Sequence, residues 1–123
     1  MDIKIKRVYE KPEADDGYRV LVDKLWPRGI RKADLPYDYW AKELTPSTAA
    51  RKAFGHKAEN FDVFKERYLG ELNASDEARA CAQQLEENAM HAGDNTITLL
   101  YAARDPKINH AVILREWLEE QMK

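Results

Sequence analysis

The sequence predicts a small α/β fold, with a three-stranded, largely parallel sheet flanked by about five helices. Strand-like segments occur near the start of the chain and again near its end. The long stretch between them has the spacing of amphipathic helices, which is enough chain for a parallel crossover connection. A further amphipathic segment follows the last strand. At 123 residues, the range 1–123 is expected to form a single compact domain.

Three segments have the patterns of strands. Ile3 to Tyr9 alternates apolar and charged residues, Tyr18 to Leu25 contains a short apolar run, and Thr96 to Ala103 is apolar on both faces, as in a central strand. The segment 11–17 contains Pro and Asp-Gly and is therefore a loop. Its length permits either a hairpin or a short crossover between the first two strands.

Helix starts are marked by side chains that can cap the free N–H groups of a first turn. The predicted starts are Asp34 or Asp38, Ser47, Asn60, Ser75 and, for the C-terminal helix, Asn109. The first of these helices would carry Tyr39 and Trp40. Gly55 and Gly93 mark helix ends, because glycine adopts the left-handed conformation that often follows a helix.

Charge is nearly balanced over the chain, with 20 Lys and Arg against 22 Asp and Glu. This balance argues against a protein that coats a polyanion, so nucleic acid is not expected as the main partner. Residues 1–57 carry 13 basic and 9 acidic side chains, net +4, whereas residues 58–123 carry 7 and 13, net −6. The two halves either pair, within the fold or between subunits, or are ordinary solvated faces.

Cysteine usage indicates a compartment. Cys81 is the single cysteine, so no disulfide can form within the chain and the reducing cytosol is expected. The first residues alternate apolar and charged side chains, unlike a signal peptide, and no segment approaches the roughly 20 apolar residues of a membrane span. We therefore predict a cytoplasmic protein without a membrane partner. The sequence does not indicate an oligomeric state.

Several chemistries are excluded by spacing. The five glycines, at 17, 29, 55, 70 and 93, are too far apart for a dinucleotide-binding or phosphate-loop motif. The histidines, at 56, 91 and 110, lack metal-ligand spacing. The sequence therefore predicts neither a cofactor nor a metal.

Open parallel sheets bind ligands beyond the carboxyl ends of their strands. Two distant segments, 23–29 and 101–109, follow predicted strands and would be neighbours there. In the first, Arg28 can hold a phosphate or carboxylate, Trp26 can stack on a planar group, and Asp23 can act as a base or hold Arg28 in position. The alternative is an internal ion pair of Asp23 with an arginine, and Trp26 in the core.

The second segment combines small residues with polar ones. Small side chains after the strand leave room for a ligand, and Asn109 or His110 would lie beside the free N–H groups of the last helix, which attract anions. The alternative is that Asn109 only caps the helix and that Asp105-Pro106 is only a turn.

Two further candidates lie in the helical region. Ser47 and His56 suggest a nucleophile and a base, but the Gly-x-Ser-x-Gly motif is absent and capping explains Ser47. His56 follows Gly55 at a predicted helix end, where a histidine commonly interacts with the helix dipole.

Several stretches resemble the YeaO-like bacterial proteins, a family of unknown function. The resemblance rests on the segments 16–29, 42–47, 54–56 and 99–105, with Trp40, Phe64, Arg67 and Tyr68. The Leu-Trp-Pro-Arg-Gly core at 25–29 is specific. Lys24 stands where the family pattern has Arg, and Thr45 where it has Ala, which weakens a bidentate role at position 24. The resemblance implies a compact cytosolic α/β domain without an established reaction.

We therefore predict a pocket for a small anionic ligand at the strand ends, in a binding protein or a metal-independent enzyme. Asp23 and His56 are the candidate catalytic groups. The candidate ligand-binding residues are Arg19, Trp26, Arg28, Ser47, Arg67, Tyr101, Asp105 and Asn109. Two alternatives stay open. One is a structural module in which these polar groups bond only to each other; the other is a nucleic-acid or protein adaptor that uses the basic N-terminal half, including Arg28, Arg31, Lys32, Lys42, Arg51, Lys52 and Lys57.

Overall fold

A four-stranded parallel sheet packs against four helices in the computed structural model, which describes residues 1–123. The elements in chain order are β1 (Asp2–Arg7), β2 (Tyr18–Leu21), β3 (Tyr39–Trp40), α1 (Thr48–Phe54), α2 (Phe61–Ala74), α3 (Asp76–His91), β4 (Thr96–Tyr101) and α4 (His110–Gln121). The predicted α/β class and parallel sheet are confirmed. The sheet has four strands rather than three, and four α-helices accompany it together with four short 3-10 turns.

Strand β4 lies between β1 and β2, in the order β1-β4-β2-β3. All pairs are parallel, with Ile97 opposite both Ile3 and Tyr18. The connection 8–17 is therefore the short crossover. Its ten residues can span about 35 Å when extended, whereas the return path along β1 and across two strand spacings is roughly 30 Å, so no helix is needed.

Strand β3 corrects the prediction that Tyr39 and Trp40 lie in a helix. The N–H of Asp38 donates to the backbone oxygen of Arg19 at 2.7 Å, and the N–H of Ala41 donates to that of Leu21 at 2.8 Å. These bonds satisfy the outer edge of β2. Tyr and Trp favour strands, and an available sheet edge outweighs a weak helical pattern.

The predicted capping residues Ser47, Ser75 and Asn109 each accept a hydrogen bond from a backbone N–H in the first turn of the following helix. Asn60 differs, because its side chain instead donates to the backbone oxygens of Ala53 and Phe54 at the end of α1. The predicted helix starts at Ser47, Asn60, Ser75 and Asn109 are therefore confirmed. The Asn60 side chain donates hydrogen bonds to α1 instead of accepting one from α2. No helix combines the length and apolar character needed to cross a membrane.

The helices cover one face of the sheet. Val20, Ile97 and Leu99 point toward them and join a core of 24 buried residues. Cys81 of α3 belongs to this core, and burial raises the pKa of its thiol to about 12. The thiol therefore stays protonated at neutral pH and is not a ready nucleophile.

The other face of the sheet is covered by the segment 22–40, which contains no α-helix. Leu21 and Leu100 point to this side and form a small core with Val8 and Leu35. The partly buried side chains of Trp26, Ile30, Trp40 and Ala102 pack against that core. The covering segment begins with the most distinctive motif of the sequence, and its position determines where the motif lies.

Arg19 takes part in a buried ionic network on this second face. Its guanidinium pairs with the carboxylate of Asp16, and its Nε donates to the backbone oxygen of Pro36 at 2.7 Å. Lys6 Nζ lies 2.7 Å from the other oxygen of Asp16. Burial alone would raise the pKa of Asp16, but the hydrogen bond from Lys6 and the neighbouring charges outweigh it and lower the pKa below its usual value.

Candidate functional site

A cleft of about 430 Å³ opens at the carboxyl ends of the strands. Its wall combines residues that follow β1, β2 and β4 with residues from α1, α2 and the start of α4. The lining residues are Tyr9, Asp23, Lys24, Leu25, Trp26, Pro27, Arg28, Pro46, Arg51, Phe54, His56, Phe64, Ala102, Ala103, Asn109 and His110. The segments after β2 and β4 thus meet at one site, as the parallel-sheet rule predicts.

Asp23 connects the two strand ends. Its Oδ2 accepts a hydrogen bond from the backbone N–H of Ala102 at 3.0 Å, and its Oδ1 lies 3.2 Å from Nε2 of His110. The side chains of Asp23 and His110 are 17% and 16% exposed, so the contact is shielded from most solvent. Oδ1 is buried and has no hydrogen-bond partner, so its contact with His110 is close without being a hydrogen bond. The bond from Ala102 to Oδ2 makes Asp23 a brace for the cleft.

His110 is held from a second side as well. Its Nε2 lies 2.8 Å from the backbone oxygen of Val22, which can only accept a hydrogen bond. A proton on Nε2 is therefore directed to this carbonyl, while Oδ1 of Asp23 lies nearby without accepting a hydrogen bond. The ring fixes the first residue of α4 against the end of β2.

Lys24 and Arg51 converge on one hydroxyl group. Lys24 Nζ lies 3.4 Å and Arg51 Nη2 lies 3.3 Å from Oγ1 of Thr48. Neither cation forms an ion pair with a carboxylate of the protein. The Nε of Arg51 is buried and has no hydrogen-bond partner. Two like charges thus meet at the cleft wall without a counter-charge.

Arg28 lies on the exposed side of the same cleft and also forms no ion pair. Its backbone oxygen accepts a hydrogen bond from the hydroxyl of Tyr9 at 3.0 Å. This bond ties the loop after β2 to the loop after β1. The guanidinium of Arg28 is left free for a partner outside the chain.

Trp26 supports the loop as well as lining the cleft. Its Nε1 donates to the backbone oxygen of Ile30 at 2.6 Å, and its ring meets those of Tyr37 and Trp40 edge to face. The sequence left open whether Trp26 stacks on a ligand or packs in the core. The ring packs against the smaller core and also borders the cleft.

His56 lies at the wall contributed by the end of α1. It is exposed, its ring forms no hydrogen bond, and it lies 5.6 Å from the ring of Phe54. It is also the single residue other than glycine with a positive φ, at 58°. Such a conformation costs on the order of 1 kcal/mol or more, so the turn after Gly55 holds His56 in place against a local preference.

Asn109 and Asp105 organise the loop between β4 and α4. Asn109 is fully buried; its Oδ1 accepts from the N–H of Val112, and its Nδ2 donates to the backbone oxygen of Asp105 at 2.7 Å. Asp105 accepts from the N–H groups of Lys107 and Ile108, and these bonds lower the pKa of its carboxyl. Asp105 borders an adjoining cleft of about 470 Å³ that shares His56, Ala102 and Ala103 with the main one.

Four predicted site residues lie outside the lining of both clefts. Arg19 is bound in the network with Asp16. Ser47 caps α1 and donates to Glu71 at 2.5 Å. Arg67 is exposed on α2, where its Nε lies 3.9 Å from a carboxylate oxygen of Glu71. Tyr101 is 2% exposed within the main core, and burial raises its pKa.

Sequence reasoning missed the pairing of Lys24 with Arg51 and the contact of Asp23 with His110. Lys24 immediately follows Asp23, and its position after β2 was an available signal. Arg51 stood out as part of the basic N-terminal half. Nothing in the spacing of Lys24, Thr48 and Arg51 indicates that they meet, because α1 reaches the cleft through a turn whose path the sequence does not specify.

One cluster of carboxylates has the proximity that a metal ion requires. Oxygens of Glu13, Asp15 and Asp16 lie within 4.8 Å of one another. Asp16 is already bound to Lys6 and Arg19, and Glu13 accepts from Lys6 at 2.9 Å. The cations of the chain thus neutralise this cluster, which lies outside the cleft.

Comparisons with known proteins agree on one family. A model described as "Inactive DUF488-N3 subclade" matches residues 2–123. The chain is 47% identical over 118 residues to the uncharacterized protein YeaO of Escherichia coli, a match that covers 96% of this chain and 97% of that protein. It is 38% identical over 116 residues to uncharacterized proteins of Mycobacterium bovis and Mycobacterium tuberculosis, covering 94% of this chain and 92% of each. No solved structure matches the chain.

Proposed function

Because the chain belongs to the inactive DUF488-N3 subclade and is YeaO-like, we propose that its strand-end cleft binds a small phosphate- or carboxylate-bearing molecule without transforming it. The composition of the cleft supports binding over catalysis. Its lining includes three cations that form no ion pair within the chain, Lys24, Arg28 and Arg51, and no serine or cysteine. The single, buried cysteine also favours a reducing compartment, the cytosol, for this binding protein.

The convergence of Lys24 and Arg51 on Thr48 carries the proposal. Two cations brought to one hydroxyl repel each other, and no carboxylate of the chain compensates them. An anion between them would accept charge-assisted hydrogen bonds from both side chains and from the hydroxyl, and such bonds are about twice as strong as neutral ones. Arg28 adds a third cation, without an ion-pair partner in the chain, at the same cleft.

Asp23 and His56 have different roles in this proposal. Asp23 holds the backbone of Ala102 and the ring of His110, so it positions the cleft. The exposed imidazole of His56 has no hydrogen bond and can donate one to an anion. Trp26, Arg28 and Asn109 complete the part of the predicted site that borders the cleft, and Asp105 borders the adjoining one.

Isothermal titration calorimetry with inorganic phosphate and with malonate tests the proposal. We expect at least one of these anions to bind the wild-type protein, and Arg51→Ala to weaken that binding at least tenfold. Lys52→Ala is the matched control, because Lys52 is an exposed cation one residue along α1 and lies outside the cleft. Absence of binding to both anions, or equal weakening by both variants, would contradict the proposal.

A second candidate function has one observation in its favour. Arg7, Lys32 and Lys42 lie 4.9, 5.9 and 4.1 Å from the ring centroids of Tyr9, Trp26 and Trp40. Interleaved cations and aromatic rings are typical of surfaces that bind single-stranded nucleic acid. Fluorescence anisotropy with a labelled single-stranded oligonucleotide would then show affinity that falls steeply with salt, and no binding at low salt would reject this adaptor function.

A further inference from the structure

We infer that the molecule bound in the cleft carries a flat aromatic ring as well as its anionic group, and belongs to the class of nucleoside 5′-monophosphates. This inference rests on the proposed anion site and assigns the remainder of the ligand. It follows from three properties of the cleft: its volume, its exposed apolar side chains and the cations that share its lining.

The cleft is too large for an oxyanion alone. A volume of about 430 Å³ corresponds to roughly 14 water molecules at about 30 Å³ each. A single phosphate would leave most of that space to solvent. Sites for whole small molecules typically measure about 300–1,000 Å³, and this cleft lies within that range.

Large apolar groups are exposed at the mouth of the cleft. Leu25 is 70% exposed and Tyr9 is 49% exposed, although both are large enough to have packed in a core. The hydroxyl of Tyr9 is bound to the backbone of Arg28, so its ring is held in place. The guanidinium of Arg7 lies 4.9 Å from the ring centroid of Tyr9. A fixed ring beside a cation offers a base a stacking platform at little entropic cost.

Cations and exposed apolar groups line the same cleft. Lys24, Arg28 and Arg51 supply the charge, and Tyr9 and Leu25 supply the apolar surface. A ligand that contacts both sets carries an anionic group and a flat group joined by a spacer. A nucleoside 5′-monophosphate has this arrangement, with the ribose between the phosphate and the base.

Calorimetric titrations with adenosine 5′-monophosphate, cytidine 5′-monophosphate, ribose 5-phosphate and adenosine separate the contributions. Stacking of a base on an aromatic side chain contributes about 1–3 kcal/mol, which is roughly 5- to 150-fold in affinity. We therefore expect at least one of the two nucleotides to bind at least fivefold more tightly than ribose 5-phosphate. Adenosine, which lacks the phosphate, should bind more weakly than either nucleotide.

Tyr9→Ala should abolish the preference for nucleotides over ribose 5-phosphate, whereas Tyr9→Phe, which loses the same hydrogen bond to Arg28 but keeps the ring, should retain that preference. Tyr37→Ala is the control, because Tyr37 is similarly exposed, at 39%, and does not line the cleft. Leu25→Ser provides a second test at the mouth of the cleft, because the exposed Leu25 side chain is not part of the core. It should also reduce the preference for nucleotides over ribose 5-phosphate.

The outcomes distinguish this inference from the proposed function. Equal affinities for the nucleotides and ribose 5-phosphate, or equal loss of both in Tyr9→Ala, would overturn the aromatic assignment and leave the anion site standing. If neither ribose 5-phosphate nor any nucleotide binds but malonate does, this inference is overturned and the anion site stands; if malonate and inorganic phosphate fail as well, the anion site itself is rejected. If adenosine binds as tightly as its monophosphate, the cleft recognises bases without the anion, and both inferences fail.

Discussion

The carboxylate of Asp23 accepts a hydrogen bond from the backbone N–H of Ala102 at 3.0 Å, joining residues 79 positions apart in the chain. Asp23 follows β2 and Ala102 follows β4, so this bond fixes the ends of two neighbouring strands to each other. The other oxygen of the carboxylate faces His110 at the start of α4. One side chain thus sets the relative positions of three walls of the cleft.

Asp23→Ala is therefore expected to lower the free energy of unfolding by about 1–3 kcal/mol, because it leaves the Ala102 N–H without its acceptor. Asp23→Asn retains one acceptor oxygen and should lose less. Urea denaturation followed by circular dichroism measures both. A loss below about 0.5 kcal/mol in Asp23→Ala would show that this bond does not hold the strand ends.

Asp16→Asn should be more damaging than any substitution of an exposed carboxylate. Asp16 is 3% exposed and pairs with both Lys6 and Arg19. Lys6 also pairs with Glu13, whereas Arg19 has no second carboxylate, so the loss of the Asp16 charge leaves the buried Arg19 guanidinium unpaired. Breaking a buried pair in this way costs about 3–5 kcal/mol. Asp34→Asn, which breaks the exposed pair with Arg31, should cost less than about 1 kcal/mol in the same urea titration.

The same network predicts a pH dependence with a defined sign. The pKa of Asp16 is lower in the folded protein than its ordinary 3.8, so its contribution is complete above about pH 4 and is lost as the pH falls through the folded pKa. The difference in unfolding free energy between wild type and Asp16→Asn should therefore shrink on acidification below pH 4. A difference that stays constant down to pH 2 would contradict this.

Lys6 determines how the stability of the same network depends on pH under alkaline conditions. Burial lowers its pKa, but the hydrogen bonds and charges of Asp16 and Glu13 outweigh burial and raise the pKa above 10.5. Its contribution is therefore complete below pH 10.5 and declines as the pH rises through the folded value. Thermal unfolding of wild type and Lys6→Met between pH 9 and 12 should show the two melting temperatures converging at the alkaline end. Parallel curves would indicate that the Lys6 charge does not stabilise the fold.

Gly17→Ala is expected to destabilise the protein by more than about 3 kcal/mol. A Cβ at this position would lie 2.4 Å from the backbone oxygen of Thr96, and the φ of +65° is also unfavourable for alanine. Gly93→Ala is the control, since its φ of +80° carries the same kind of strain but no atom lies within 4 Å. It should cost about 1–2 kcal/mol. Similar losses of unfolding free energy in the two variants would show that the backbone shifts enough to remove the close contact between the added Cβ at position 17 and the oxygen of Thr96.

The sequence was sufficient to predict the elements whose stabilisation is local. Ser47, Ser75 and Asn109 mark helix starts because a short polar side chain satisfies N–H groups two or three residues away. The segments after β2 and β4 were predictable as neighbours because parallel strands end at one edge. Strand β3 was not, because Tyr39 and Trp40 become a strand only through the free edge of β2.

Side-chain partners were harder to predict than backbone elements. Arg19 lies one residue before Val20, so strand alternation turns it away from the helices, toward the buried Asp16. Its chemistry suits an anion, and only the fold reveals that a carboxylate of the chain already occupies it. Lys24 and Arg51 differ from Arg19, because neither pairs with a carboxylate of the chain. Their proximity depends on the path of the chain from β3 to α1.

The segment 22–40 has two duties, since it covers Leu21 and Leu100 on the sheet and also supplies one wall of the cleft. If this segment opened, the cleft would lose that wall and the smaller core would be exposed to solvent at the same time. A ligand that bridged Arg28 and Arg51 would bind only the closed form, so its occupancy and the local opening equilibrium would be linked. Residues such as Leu35, which packs in the smaller core and does not line the cleft, would then also contribute to ligand affinity.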